Sequence, residues 1–322
     1  MSRGDARVSV VICAYTLDRW ELLSRAIASV QAQELAPEQL IVVADHADEL
    51  LHRARSAFPG CDVVANSGPR GLSGARNTGV AAARSAIVAF IDDDAEADPA
   101  WLATLVPAFD DSAVVGVGGR VRPRWLQGRP DWFPAAFDWV IGCTYRGHPM
   151  HVAEVRNVLG CNMAFRRSAL LSVDGFRSEL GRVGKLPVGA EETDLCIRLT
   201  LLDPAARIKY LPGAAVDHVV PPERATWSYF ARRCFGEGLS KAVLAHSLGS
   251  RRALSTERSY VRAVLPRAAA GAVAEAARRR RPAILGQTVA IAAGLALTVA
   301  GFGWGSVRRR QTVVPATFRE AR

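Results

Sequence analysis

The sequence contains few lysines, no closely paired cysteines and no internal repeat. Its six cysteines are scattered without a CxxC pair, which excludes a zinc knuckle and a disulfide-stapled miniprotein and is typical of free thiols in the cytoplasm. Only Lys185, Lys209 and Lys241 are lysines, so no lysine-rich signature for attack on a triphosphate is present. With 322 residues, 49% of them hydrophobic, the chain can bury a large core and is not disordered.

The N-terminal part lacks the pattern of a secretory signal peptide. The apolar run Val8–Ala14 is too short for such a signal, and Thr16, Asp18 and Arg19 follow it closely. The run instead predicts a first buried β-strand.

Positive charge is concentrated in the C-terminal third. The chain has a formal net charge of +10, and residues 224–322 hold 18 Arg and Lys against four Asp and Glu. This excess brackets an apolar segment, residues 283–307, which contains no charged residue. The arrangement favours binding to a membrane over binding to nucleic acid, and we expect no nucleic-acid partner.

The same apolar segment predicts a membrane-associated helical region. Twenty apolar residues suffice to cross a bilayer, so a spanning helix is one interpretation. Five glycines and Gln287 favour the other, a helix or hairpin that lies in one leaflet. We therefore predict a catalytic domain over residues 1–245 and a basic helical region over residues 246–322.

Apolar, β-branched segments alternate with helix-like patterns over the first 110 residues. Strands are predicted at residues 8–14, 40–44, 62–65 and 86–91, with helices between them. This alternation predicts an α/β fold with a mostly parallel sheet flanked by helices. Residues 119–160, rich in Gly, Pro and Trp, predict either an irregular lobe over a pocket or an ordinary excursion between strands.

Three consecutive carboxylates, Asp92, Asp93 and Asp94, follow the strand predicted at residues 86–91. Adjacent carboxylates repel one another unless a divalent cation neutralises them. Ligands of open α/β sheets bind beyond the carboxyl ends of the strands. The triplet therefore predicts a metal site that holds a diphosphate, and the alternative is a solvated acidic turn.

A second acidic group, formed by Glu191, Glu192 and Asp194, opens a predicted helix over residues 191–202. One interpretation is a general base that accepts a proton from an incoming hydroxyl. The alternative is helix capping, because carboxylates are stabilised in the first turn of a helix.

Seven motifs occur in order along the chain, and these are Val10-Val-Ile-Cys-Ala-Tyr15 with Arg19 and Leu22, Gly71-Leu-Ser-Gly-Ala-Arg-Asn77 with Gly79, the Asp92 triplet, Gly160-Cys-Asn-Met-Ala-Phe165, Asp174-Gly-Phe176, Glu191-Glu-Thr-Asp-Leu195 with Arg198, and His218. Over about residues 7–240 they resemble the inverting glycosyltransferases of family 2, of the membrane-associated bacterial type. The resemblance implies the GT-A fold, a Rossmann-like α/β sheet.

The resemblance also implies a binding site for a nucleotide-diphosphate sugar, and the matching positions are Ala14, Tyr15, Asp45, Gly71, Arg76, Asp92 and Asp93. Asp94 and His218 match the ligands of a divalent metal, Mn²⁺ or Mg²⁺. Glu192 matches the family's catalytic base, although the family has Asp there, and the longer side chain leaves Glu191 as the alternative base. Asp194 then supports the base. Asn162, Trp132 and Trp139 are candidates to line the sugar or acceptor site.

The predicted function is inverting transfer of a sugar from a nucleotide-diphosphate sugar, a UDP-sugar by expectation, in cell-envelope glycan or glycolipid synthesis. The basic, apolar C-terminal region indicates a lipid-linked or polyprenyl acceptor at the cytoplasmic face of the cell membrane. Two alternatives are a metal-dependent nucleotidyltransferase and a noncatalytic membrane adaptor. Clustered carboxylates at strand ends argue against the adaptor.

Overall fold

The computed structural model describes residues 8–178, 189–250 and 254–312, with side chains up to Val307. The strands are β1 Val8–Ala14, β2 Gln39–Ala44, β3 Asp62–Ala65, β4 Ile87–Asp92, β5 Ala95–Ala97, β6 Val114–Trp125, β7 Ala153–Glu154, β8 Asn162–Arg166 and β9 Arg207–Val220. The α-helices are α1 Trp20–Gln31, α2 Asp48–Ala57, α3 Leu72–Ala82, α4 Trp101–Leu105, α5 Arg167–Ser172, α6 Glu191–Leu202, α7 Trp227–Leu248, α8 Glu257–Ser259, α9 Leu265–Arg279 and α10 Gly286–Thr312.

The nine strands of the described residues join one sheet, in the order β3-β2-β1-β4-β8-β6-β9-β5 with β7 added beside β9. The strands from β3 to β4 are parallel, as predicted from the alternating pattern. Beyond β4 the sheet is mixed, because β8 runs antiparallel to both β4 and β6 while β6 and β9 are parallel. The α/β architecture is thus confirmed, with more antiparallel pairing than the expected mostly parallel sheet.

The central strands are apolar on both faces because helices cover both sides of the sheet. Along β1, Val10 and Ile12 belong to one hydrophobic cluster and Val11 to another, as alternation of side chains across a strand requires. Leu23 of α1 packs in the first cluster and Ala75 of α3 in the second. The sheet is therefore a rigid layer whose edge can position functional groups.

The carboxyl ends of β1, β2 and β4 meet at one edge. Cys13 pairs in register with both Val43 and Asp92. The residues that follow these strands, including Tyr15 and Asp45, therefore come together at the place where open α/β sheets bind ligands.

The segment between β6 and β8 forms one wall of a cavity at this edge. It contains a 3₁₀ helix, Ala135–Ile141, and the short strand β7. Phe137, Trp139 and Tyr145 line the cavity. Residues 119–125 of the segment predicted as 119–160 belong to strand β6. The remainder has the predicted form of a lobe over a pocket.

Helix α10 packs along α7 with very small separation. A Cβ atom added to Gly238 of α7 would collide with the carbonyl oxygen of Thr298. One added to Gly301 of α10 would collide with the carbonyl oxygen of Phe235. These glycines therefore permit backbone contact between the helices. The predicted domain boundary at residue 245 falls within α7 and stays a prediction.

One helical stretch among the described residues, Pro282–Val307, is long and apolar enough to cross a membrane by length and composition. Only 22% of its most apolar window is buried. Val289, Trp304 and Val307 are exposed on its outer side. Its other side contributes to the core and to the cavity wall, through Ile291 and Leu295.

We expect Gly238→Ala to lower the free energy of unfolding by about 1–3 kcal/mol, because the added methyl group overpacks the contact with α10. The matched control is Gly303→Ala on the exposed side of α10, where nothing lies within 4 Å of the added carbon. That change should leave the protein equally stable or up to about 1 kcal/mol more stable. Urea unfolding in detergent measures both, and equal effects of the two changes would contradict close α7–α10 packing.

Candidate active site

A cavity of about 720 Å³ lies at the carboxyl edge of the sheet and extends to the C-terminal helices. On one side it is lined by residues from β1, β4, α3 and α6 and by Asp45, which follows β2. On the other side it is lined by residues from α7 to α10. Most of the site residues predicted from the sequence line it, and these are Ala14, Tyr15, Asp45, Gly71, Arg76, Asp92, Asp93, Asp94, Trp139, Glu191, Glu192 and His218.

The loop after β1 and the end of β2 form the outer part of the cavity. Tyr15 is 55% exposed, and the guanidinium of Arg19 lies 5.3 Å from the centre of its ring. The carboxylate of Asp45 accepts hydrogen bonds from the Asn66 side chain at 2.6 Å and from the Gly71 backbone at 2.9 Å. Gly71 has φ of +123°, a conformation that favours glycine. Asp45 is therefore rigidly held beside an exposed aromatic ring.

Arg76 connects the two acidic motifs. Its buried guanidinium donates to Glu191 at 2.9 Å, to the Gly160 carbonyl at 3.0 Å and to Asp92 at 3.4 Å. The predicted contact of Arg76 with the nucleotide stays a prediction. What the structure shows is that one cation fixes the distance between the start of α6 and the end of β4.

The second and third carboxylates of the triplet are buried among cations. Arg19 lies 2.9 Å from Asp93 and 3.2 Å from Asp94. Burial, and next the charge of Asp94, raise the pKa of Asp93 to about 7. Although burial opposes it, the charge and hydrogen bond of His218, followed by the charges of Arg224 and Arg19, hold the pKa of Asp94 well below its usual range.

The donor set at the triplet fits a divalent cation. Asp94 and His218 lie 3.2 Å apart, and ligand atoms of Asp92, Cys161 and His218 lie within 4.8 Å of one another. Asp93 Oδ2 is a buried carboxylate oxygen without a hydrogen-bond partner among the described residues. Mn²⁺ and Mg²⁺ prefer such oxygen ligands. Of the two predicted ligands, His218 belongs to this group with Asp92 and Cys161, and Asp94 lies beside His218. Metal binding by Asp94 and His218 stays a prediction.

Glu192 is the carboxylate of the second motif that remains available in the cavity. Glu191 is committed to Arg76, whereas Glu192 lines the cavity without an ion pair among the described residues. Burial, and next the charge of Glu191, raise the pKa of Glu192 to about 8. Ala190 precedes them in a left-handed conformation, with φ of +79°, and so turns the chain abruptly into α6. The geometry favours Glu192 over Glu191 as the base.

Asp194, Asn162 and Trp132 are the predicted site residues that do not line the cavity. Asp194 is fully buried and pairs with Arg198 at 2.6 Å and with Arg177 at 3.2 Å, so it fixes α6 in the fold. Asn162 is also fully buried, and its amide bonds are committed to Trp101 and to two backbone carbonyls. Neither side chain has a polar group left for a ligand. This corrects the assignment of Asn162 to the sugar or acceptor site, whereas the supporting role of Asp194 stays a prediction.

The two predicted tryptophans differ in position. Trp132 stacks on Trp227 at 4.2 Å, away from the cavity lining, because the chain packs it against the first turn of α7. Trp139 does line the cavity, and its indole donates to the Tyr260 hydroxyl at 3.1 Å. Trp139 alone of the pair is therefore placed where a ligand can touch it.

The ionic groups on the opposite wall of the cavity were not predicted from the sequence. Lys241 pairs with Glu257 at 2.6 Å and with Glu237 at 3.0 Å, and Arg156 donates to Glu257 at 3.0 Å. All four line the cavity. The sequence did contain a pattern that could have predicted part of this group. Arg233, Glu237 and Lys241 recur every four residues on α7 and so share one face of that helix.

Comparison with protein-family models matches residues 9–173 to Glycosyl transferase family 2. Among curated proteins, the chain is 37% identical over 242 residues to a glucosyl-dolichyl phosphate glucuronosyltransferase of Haloferax volcanii, covering 74% of this chain and 77% of that protein. It is 26% identical over 260 residues to the succinoglycan biosynthesis protein ExoM of Rhizobium meliloti, covering 77% and 79% of the two chains.

Among solved structures, the chain is similar to the mannosyltransferase PcManGT from Pyrobaculum calidifontis in complex with GDP-Man and Mn²⁺. The TM-score is 0.60 at 18% identity, with coverage of 94% of this chain and 88% of that chain. This likeness confirms the predicted GT-A fold. The neighbour's Mn²⁺ agrees with a divalent metal in this fold.

Proposed function

The chain belongs to glycosyltransferase family 2, and we propose that it transfers a sugar from a UDP-sugar to a lipid-linked acceptor with inversion at the anomeric carbon. One observation carries the proposal. A single cavity holds the strand-end carboxylates, the available carboxylate of Glu192 and apolar side chains of α9 and α10. It therefore provides a place for a charged donor, a base and a lipid.

The donor is proposed to bind at the carboxyl edge of the sheet. Asp45 and Tyr15 offer a carboxylate and an exposed ring to the nucleotide base, and Ala14 and Gly71 let the backbone approach the nucleoside closely. Asp92, at the end of β4, faces the cavity with 30% of its side chain exposed. A divalent cation bound by Asp92, Asp94 and His218 would offset the charge that develops on the leaving diphosphate.

Glu192 acts as the general base in this proposal. It takes the proton from the acceptor group while the acceptor oxygen forms a bond to the anomeric carbon and the bond from that carbon to the diphosphate breaks. Attack from the face opposite the leaving group inverts the configuration. Arg76 contributes by holding Glu191 and Asp92 in place, so that base and donor sites keep a fixed spacing.

The lipid part of the acceptor is proposed to lie against the C-terminal helices. Val261, Leu265, Leu295, Val299 and Phe302 line that end of the cavity. The curated relative from Haloferax volcanii carries a dolichyl phosphate substrate in its name, and that from Rhizobium meliloti is named for succinoglycan biosynthesis. Both support a role in cell-envelope glycan or glycolipid synthesis.

Membrane binding is proposed at the cytoplasmic face, where nucleotide sugars are available. The exposed apolar side of Pro282–Val307 adjoins the arginine run at residues 278–281. Arginines near a bilayer attract anionic lipid by about 1 kcal/mol each. Because α10 packs closely on α7, the lipid-facing helix is also a wall of the acceptor site.

Turnover should increase with pH, because Glu192 accepts a proton only in its deprotonated form and its pKa is about 8. A group with that pKa gives a rise in kcat/KM of roughly fiftyfold between pH 6 and pH 8, with a plateau above pH 9. Initial rates across this range measure the effect. Glu192→Gln should show no such rise in its residual activity, and a wild-type profile that is flat from pH 6 to pH 8 would contradict the assignment.

The proposed function is tested by incubating the full chain in detergent with a panel of nucleotide sugars. We expect release of UDP from one UDP-sugar, abolished by EDTA, restored by Mn²⁺ or Mg²⁺ and increased by a membrane lipid extract. Release of pyrophosphate from a nucleoside triphosphate and a sugar 1-phosphate, with no UDP released from any nucleotide sugar, would identify a nucleotidyltransferase instead. Release of no nucleotide from any donor would overturn the proposal.

A further inference from the structure

Cys161 is a buried thiol immediately before β8, and it lies next to the carboxylate triplet. In the antiparallel pairing of β4 with β8, Ile91 is opposite Asn162, so the next position along places Cys161 beside Asp92. Successive side chains of an extended chain point to opposite sides. Asn162 accordingly lies outside the cavity lining, where Trp101 and two backbone carbonyls hold its amide, whereas Cys161 and Asp92 both line the cavity.

The turn that presents Cys161 is fixed by its neighbours. The backbone of Asn162 donates to the Leu159 carbonyl at 3.0 Å, and the Gly160 carbonyl accepts from the buried guanidinium of Arg76 at 3.0 Å. A Cβ atom added to Gly160 would lie 2.9 Å from that guanidinium, so glycine permits the contact. The backbone at Cys161 is therefore held in place, and only 5% of the residue is exposed.

The thiol converges with the side chains that the proposed function gives to the metal. Ligand atoms of Asp92, Cys161 and His218 all lie within 4.8 Å of one another, close enough for one ion to contact all three after small side-chain adjustments. Asp94 lies 3.2 Å from His218 and so adjoins the same group. Oxygen, nitrogen and sulfur ligands thus surround one position at the end of β4.

The ring of His218 is oriented by contacts at both nitrogens. Its Nδ1 lies 3.7 Å from the Cys143 thiol, and its Nε2 lies 3.2 Å from Asp94 Oδ1. Arg224 also approaches Nε2, at 3.3 Å, which is long for a hydrogen bond and so is readily replaced by a metal. Nε2 therefore faces the carboxylates, while Cys143 contacts the other side of the ring and positions it.

A sulfur ligand changes which ions such a site prefers. Mg²⁺ takes oxygen ligands in octahedral geometry, whereas thiolate and imidazole suit Zn²⁺, and Co²⁺ and Zn²⁺ bind mixed sites more tightly than Mn²⁺. Asp92, Cys161 and His218 together with Asp94 would saturate a four-coordinate Zn²⁺, whereas a six-coordinate Mn²⁺ keeps two positions for phosphate oxygens. The same ligands would therefore hold Zn²⁺ tightly in a form that cannot bind a diphosphate.

From these contacts we propose that Cys161 is a metal ligand of this chain, so that the site binds Co²⁺ and Zn²⁺ more tightly than Mn²⁺ or Mg²⁺ and Zn²⁺ inhibits transfer. The inference rests on the proposed function for Asp94 and for the diphosphate, and it adds a sulfur ligand to that metal site. On binding, the thiol proton of Cys161 passes to solvent and the sulfur bonds to the ion as a thiolate.

The test titrates Co²⁺ into the metal-free full chain in detergent, without nucleotide. We expect a sulfur-to-cobalt charge-transfer band in the near ultraviolet that saturates at one ion per chain and disappears when Zn²⁺, with its filled d shell, displaces Co²⁺. Cys161→Ser should lose the band and bind Co²⁺ at least about tenfold more weakly, because even a partner of a ligand contributes about 10- to 100-fold in affinity. A Co²⁺-saturated wild type without the band, or a band that persists in Cys161→Ser, would overturn the inference.

Two other thiols serve as controls. Cys13→Ser is the matched variant, since Cys13 lines the same cavity and pairs in register with Asp92. It should keep the band, and so should Cys143→Ser, whose thiol contacts the other side of the His218 ring. Loss of the band in one of these variants, with the band retained in Cys161→Ser, would assign the sulfur ligand to that residue and contradict the inference.

Inhibition by Zn²⁺ in the presence of Mn²⁺ gives the second readout. Zn²⁺ should inhibit nucleotide release by the wild type at a concentration at least about tenfold lower than it inhibits Cys161→Ser. Equal inhibition of both proteins would contradict the role of Cys161. A wild type that shows the cobalt band but releases no nucleotide from any donor would remove the proposed function and leave the metal ligand in place, whereas nucleotide release without the band would remove the inference alone.

Discussion

Glu192→Gln should lower kcat by a factor of about 10² to 10⁴ while the affinity for UDP and Mn²⁺ remains at the wild-type value. The change keeps the size of the side chain but removes its capacity to accept a proton, and a positioned general base contributes about this factor. Glu192 also makes no ion pair among the described residues that the change could break. Single-turnover rates, with calorimetric titration of UDP, separate the chemical step from binding.

The matched comparison is Glu191→Gln, one residue earlier. Glu191 pairs with the buried Arg76 at 2.9 Å, and breaking a buried pair on one side costs about 3–5 kcal/mol of stability. This variant should therefore unfold at lower urea concentration than Glu192→Gln, which keeps the wild-type unfolding midpoint. Normal turnover in Glu192→Gln, with loss of turnover in a stable Glu191→Gln, would transfer the catalytic role to Glu191.

Asp94→Asn is expected to have the second large effect, a fall in kcat/KM of about 10² to 10³. Asp94 is buried and lies 3.2 Å from both His218 and Arg224, so its carboxylate is the centre of the charge balance at the end of β4. Loss of one negative charge weakens cation binding there. Titration of UDP with and without Mn²⁺ should show that the variant has lost most of the increase in affinity that the metal gives the wild type.

Asp110→Asn provides the control for this change, since Asp110 is exposed and away from the cavity. It should leave both turnover and the metal effect unaltered. If Asp94→Asn bound UDP with the full metal-dependent gain, Asp94 would not be part of the cation site, and Asp92 and His218 would have to hold it without Asp94.

The sequence predicted the position of those site residues that a local pattern of strand or helix residues determines. The apolar strand that ends before Asp92 predicted that the carboxylate triplet lies at the carboxyl edge of the sheet. The resemblance to family 2 implied that Ala14 and Asp45 belong to the same site. The start of α6 at Glu191 was likewise predicted, since carboxylates favour the first turn of a helix. The end of a strand and the start of a helix depend on residues that are close to one another in the sequence.

Features that depend on tertiary packing were not predicted. Residue type alone does not distinguish Asn162, whose amide is used up by Trp101 and two carbonyls, from an asparagine that faces a ligand. The ion pair of Lys241 with Glu257 needs the chain to turn between α7 and α8. From the sequence alone, the glycines of the apolar segment favour a helix or hairpin in one leaflet, whereas in the structure Gly301 permits close contact of α10 with α7.

The most direct test of single displacement by Glu192 is the anomeric configuration of the product. The product made from an α-linked UDP-sugar by the full chain in detergent is purified, and its anomeric coupling constant is measured by NMR. Attack by an acceptor hydroxyl activated by one base predicts a β-linked product. An α-linked product would contradict the account, because it requires retention of configuration and hence a different use of the carboxylates around the donor.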